Sequence, residues 1–135
     1  MRPYTLFLLI PAFFLSSCLG KKTSDGEEAF AYWAGTEPSE QVKILNGQYW
    51  QSPHWTKEYE LFLEMQTDSE WVSEFIKQNE LELKTSSNFD LPDNAPIWFR
   101  PQLGLKAYEP TNFNQGSIYF INEKSGCIIF YEIQL

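Results

Sequence analysis

The chain has 135 residues, the size of one ordinary domain that can bury a core without help from metals or disulfides. Its 10 Lys and Arg face 18 Asp and Glu, a net charge of −8. That sign argues against nucleic acid as a partner and equally against adhesion to anionic headgroups. One His and two Cys leave no spacing that could build a zinc site, so no metal and no cofactor is expected.

The chain opens with Arg2 as its only early charge, then runs almost wholly apolar from Leu6 to Leu15, and charges resume only at Lys21. An apolar stretch of about 10 residues is half of what a spanning helix needs and has the form of a secretory signal. It ends Leu15-Ser16-Ser17-Cys18: a branched apolar residue, two small residues and a cysteine. This resembles the lipobox of bacterial lipoproteins, and the resemblance covers residues 1–18 only. It implies removal of residues 1–17, a lipid on the thiol of Cys18, and a protein anchored in the cell envelope rather than spanning a membrane. Leu19 stands where enterobacterial lipoproteins kept at the inner membrane carry Asp, which implies the outer membrane in a Gram-negative organism. Residues 18–24 then read as a lipidated tether, about 20 Å when extended, and residues 25–135 as a single globular domain. With Cys18 acylated, Cys127 has no partner for a disulfide.

Ser24 to Gly35 reads as a short helix, with Ser24 and Glu27 as a capping box, Phe30, Trp33 and Ala34 on one face, and Gly35 as the stop. Val42–Leu45 and Gln48–Trp50 flank Asn46-Gly47, a pair that favours a tight turn, so a hairpin is predicted there. From Glu58 to Met65, Tyr59, Leu61, Leu63 and Met65 alternate with Glu58, Glu60, Phe62 and Glu64, which predicts a strand with one packed face and one wet face. Thr67-Asp68-Ser69-Glu70 forms a second capping box before Trp71, Val72, Phe75 and Ile76, predicting a helix over 68–79 that Asn79 ends. Leu81–Lys84 can start another strand. Residues 85–103 hold Pro92, Pro96 and Pro101 and are expected to be irregular apart from an extended piece at Ile97–Phe99. Ser117–Ile121, a turn at Glu123–Gly126 and Cys127–Leu135 form a last hairpin, whose apolar final strand belongs inside the sheet. The fold class is therefore α+β: a small, mainly antiparallel sheet with two helices on one face.

No residue pattern carries a catalytic set. Cys127 with His54 is the only cysteine–histidine pair available after acylation, and nothing near either residue predicts that they meet. Phosphate loops, nucleophile elbows and basic stripes are absent from the sequence. What stands out is aromatic density. Tyr49, Trp50, His54 and Trp55 lie at a strand-to-strand connection, and Trp98, Phe99 and Arg100 lie in the proline-bounded loop. Singly, such rings are expected to fill the core; together they form the expected contact surface, because Trp, Tyr and Arg dominate interface hot spots. The function expected is a non-enzymatic protein-interaction module of the inhibitor, immunity or assembly-accessory type, held at the membrane by its lipid. A glycan- or peptidoglycan-binding lipoprotein is the alternative, and an enzyme ranks third.

Overall fold

The computed structural model describes residues 19–86 and 88–135, so the signal, the lipobox and Cys18 lie outside the described residues. Helix α1 (Gly26–Ala34) starts at Asp25, whose side chain accepts from the Glu28 amide at 2.8 Å, and stops at Gly35 with φ of 72°. Helix α2 (Ser69–Gln78) starts at Asp68, which accepts from the Trp71 amide at 2.8 Å, and Asn79 closes it by donating to the Phe75 carbonyl. In both helices the cap is the residue after the one predicted. Aspartate wins because a carboxylate satisfies the free amides and also meets the positive end of the helix dipole.

The strands are β1 (Lys21–Thr23), β2 (Lys43–Gln51), β3 (Tyr59–Gln66), β4 (Leu81–Leu83), β5 (Lys106–Pro110), β6 (Ile118–Asn122) and β7 (Cys127–Gln134). They form one seven-stranded sheet in the order β1-β2-β3-β7-β6-β5-β4, every neighbouring pair antiparallel. The protein is thus a small α+β fold, as its sequence pattern implies. The apolar last strand β7 lies at the centre, between β3 and β6.

Three local expectations need correction. Asn46-Gly47 makes no turn: β2 runs straight through it, with an irregularity in register between Ile44 and Asn46. Gly47 is there for space, since a Cβ on it would lie 2.8 Å from the Gly26 Cα and 3.0 Å from the Ala29 Cβ. Next, Lys21–Thr23 is not free tether but an edge strand paired with Tyr49–Gln51 of β2. Finally, Ile97–Phe99 is not a strand; the Phe99 amide donates back to the Pro96 carbonyl in a turn.

Both faces of the sheet are packed. On the helix face Tyr49, Leu61, Leu63, Met65, Ile128 and Phe130 meet Ala29 and Phe30 of α1 and Val72 and Phe75 of α2. On the other face Phe62, Ile118, Phe120, Ile129 and Tyr131 meet Phe99, with Ala95, Trp98 and Leu105 at the margin. The expected wet face of β3 is therefore covered, because the proline-rich loop folds over it and seats Phe99 edge-on to Phe62 at 5.0 Å. Each such fully buried ring or aliphatic side chain contributes about 1.5–3 kcal/mol.

Candidate functional site

The helices leave a groove between them on the sheet's helix face. Its floor is Phe30 and Trp33 from α1 with Trp71 and Phe75 from α2; its rim carries Asp68, Glu70 and Glu74; its volume is about 600 Å³. The rings are fixed by one another. Trp71 stacks on Phe75 at 5.4 Å, and Trp33 packs tilted on Phe130 at 5.3 Å and Phe75 at 6.2 Å. The Trp33 indole N–H also donates to Glu132 Oε1 at 3.0 Å, so the ring cannot turn without breaking a part-buried hydrogen bond. Aromatic faces below carboxylates offer a bound cation two attractions at once, ring quadrupole and Coulomb. No lysine or arginine lines the groove.

Glu132 ties the groove to a second hollow. Its carboxylate accepts from Trp33, from the Tyr59 hydroxyl and from the Tyr119 hydroxyl, the last at 2.6 Å. This hollow, about 350 Å³, is lined by Tyr59, Tyr119, Glu132 and Asn79, and Asn79 also lines the groove. Burial first, and the Glu132 charge second, push the Tyr59 and Tyr119 hydroxyls far above the ordinary tyrosine range. Both therefore keep their protons at neutral pH and serve as fixed donors rather than bases or nucleophiles.

The structure scatters the residues expected to form a contact surface. Tyr49 is buried on the helix face, its ring stacked on Tyr59 and its hydroxyl donating to Gln51 at 2.9 Å. Phe99 is buried on the opposite face. Trp50, next to Tyr49 on β2, points by strand alternation to the loop-covered face and is 41% exposed. Trp98 is half-buried against the second core, and Arg100 is exposed, its Nε donating to the Ile97 carbonyl. His54 and Trp55 are exposed at the tip of the loop between β2 and β3, Trp55 at 96%. Trp98 and Arg100 share a turn, the Arg100 amide donating to the Trp98 carbonyl, and His54 and Trp55 share the loop tip.

His54 and Cys127 do not meet. His54 precedes β3, whereas Cys127 pairs with Gln66 at the far end of that strand, so the length of an eight-residue strand, roughly 23 Å, separates them. Burial, aided by the Glu64 charge, raises the Cys127 thiol and makes it less reactive.

The groove is the part that the sequence reading missed. Its aromatic residues were visible, but as faces packing on a core. The available signal was the row Glu70, Glu74 and Gln78, repeating every fourth residue beside Trp71 and Phe75, which sets an acidic rim along an aromatic strip. No protein-family model, no characterised protein and no solved structure matches the chain.

Proposed function

We propose that this protein is an envelope lipoprotein, anchored through Cys18, whose domain is a non-enzymatic interaction module that captures a basic segment of a partner protein in the groove between α1 and α2. The observation that carries this reading is the pairing of fixed aromatic rings with a one-sign acidic rim. Hot spots of this composition bind through a few buried rings, while rim charges steer encounter and select the partner's sign. The anchor would hold the module in the envelope, facing partners there.

The test is crosslinking with mass spectrometry in the native envelope, comparing the wild type with Trp71→Ala and with Glu70→Lys/Glu74→Lys. The charge-reversed variant is expected to bind the captured partner at least about tenfold more weakly while losing no more than about 5 °C of melting temperature, because both carboxylates are exposed and only Glu70 lies in the first turn of α2. Equal capture by all three proteins would remove the groove from the reading.

A glycan-binding role has one observation in its favour, the bare indole of Trp55. Retention on purified cell-wall material that depends on Trp55 would favour it.

A further inference from the structure

We propose that the end of the sheet where the chain enters the domain rests on the lipid headgroup layer, with Leu19, Trp55 and Phe113 inserted and Lys21, Lys22 and Lys57 set against lipid phosphates. This rests on the anchored reading of Cys18 and adds to it which face of the domain the membrane sees.

The topology gathers the parts. β1 is antiparallel to β2 with Lys21 opposite Gln51, so Leu19 and Gly20 lie beside the loop that joins β2 to β3. A Cβ on Gly20 would lie 3.4 Å from the Pro53 ring, which fixes that proximity. β3 starts at this same end, with Tyr59 opposite Gln134 of β7. The 111–116 loop joins it because it leads into β6, whose Ile118 faces Tyr131. Gln115 pins that loop by donating to the Leu135 carbonyl and accepting from the Leu135 amide. From β1 to the β5–β6 connection is between four and five strand spacings, roughly 20 Å.

Among the exposed polar side chains of these loops stand three large apolar ones that are bare. Trp55 is 96% exposed, Phe113 100% and Leu19 77%. Phe113 is also held at φ of 50°, the left-handed region that a bulky side chain avoids. A strained backbone that presents an aromatic ring wholly to solvent is unfavourable twice in water, and insertion of the ring into lipid removes one of the two penalties. Trp and Phe are the residues that settle at the membrane interface. Ile97 and Leu103 are comparably exposed, but both belong to the loop over the second face, and Leu103 leads into β5 at the opposite end.

The lysines of this end bring its charge closer to balance than that of the acidic chain as a whole. Lys22 and Lys57 are exposed, and Lys21 lies 4.7 Å above the Tyr32 ring. The carboxylates near these lysines include Glu28, which accepts from the Tyr32 hydroxyl, together with Glu58, Glu80 and Glu132. Glu58 accepts from the Thr56 hydroxyl, Glu80 from Asn112, and Glu132 from its three ring donors. The apolar insertion carries the docking, and the lysines add single contacts to lipid phosphates.

The experiment uses the full-length acylated protein in vesicles of phosphatidylethanolamine and phosphatidylglycerol with brominated acyl chains, read by tryptophan emission. The wild type is expected to lose roughly one indole's share of the emission of its five tryptophans. Trp55→Phe is expected to lose none while staying equally vesicle-bound and equally stable, and Lys22→Glu/Lys57→Glu is expected to halve the wild-type loss. Palmitate labelling is measured in parallel. Palmitate on the product with no Trp55-dependent quenching overturns the docking alone. Absence of palmitate overturns the anchor and the docking with it. Trp55-dependent retention on peptidoglycan without quenching would also overturn the docking and assign the tip to a glycan.

Discussion

Thr67 and Asp68 stand side by side at the start of α2 with opposite fates. Asp68 caps the helix, while the Thr67 hydroxyl is buried without a hydrogen-bond partner among the described residues. Thr67 lies where a Cβ on Gly126 would overlap its carbonyl oxygen, and its amide donates to the Gly126 carbonyl at 2.9 Å, so the turn before β7 holds the residue in the sheet. Asp68→Ala is therefore expected to cost about 1 kcal/mol, whereas Thr67→Val, which removes an unsatisfied hydroxyl at equal size, is expected to be neutral or to stabilise by up to about 1 kcal/mol. Urea denaturation of the two variants separates this from a Thr67 cap, under which the two signs would exchange. The sequence contained both candidates. The choice between them depends on a backbone contact with a residue nearly sixty positions later, which spacing alone does not encode. The same limit applies to Tyr49 and Phe99, whose aromatic character is plain but whose burial on opposite faces depends on which side of a strand, and under which loop, each one falls.

Elements with one strong period were legible. The alternation of β3, the two helical faces and the last hairpin all stand where the pattern puts them. The pattern failed where a residue serves a neighbour rather than its own element. Asn46-Gly47 has turn chemistry, yet Gly47 lets α1 approach β2, and Gly26 on α1 answers it, since a Cβ there would lie 2.7 Å from the Ile44 side chain. Gly47→Ala is expected to destabilise by about 1–3 kcal/mol in chemical denaturation, against the slight gain that a glycine-to-alanine change brings in an unhindered strand. A neutral result would mean that the helix can move aside. The packed second face was hidden for a related reason. Phe62 breaks the acidic side of β3 as a single apolar residue, and its partner Phe99 comes from a loop with no period. The candidate groove was half legible: the acidic row and the aromatic strip of α2 are in the sequence, but α1 as the opposite wall is a product of the tertiary fold.

At the scale of the whole molecule, buried tyrosines join the two faces to the solvent pH. Burial and then Glu123 push Tyr108 up to about 12; burial and then Glu60 push Tyr131 up to about 12; Tyr59 and Tyr119 go higher still around Glu132. Below about pH 10 these groups are protonated both folded and unfolded, and their stabilisation is fully present. Above it the unfolded chain releases protons that the native state retains, so stability falls. The contributions of Tyr108 and Tyr131 stop declining near pH 12, and those of Tyr59 and Tyr119 continue beyond it. Between pH 10 and 11 each such group removes at most about 1 kcal/mol, less for the more solvent-screened Tyr108 and Tyr131, so the four together remove a few kcal/mol at most, a sizeable part of a typical total stability. Circular dichroism followed with tyrosinate absorbance is expected to show unfolding and ionisation as one transition above pH 10; ionisation of all four rings with the fold intact would contradict the arrangement.

β1 gives the anchored reading a mechanical corollary. With those three residues zipped to β2, only Leu19 and Gly20 separate Cys18 from the first paired strand, about 7 Å of chain; with them detached, the leash would lengthen to about 20 Å. A pull from the bilayer would run along the strand axis and strain its bonds together. The pairing of β1 with β2 would thus set how near the domain sits to the lipid.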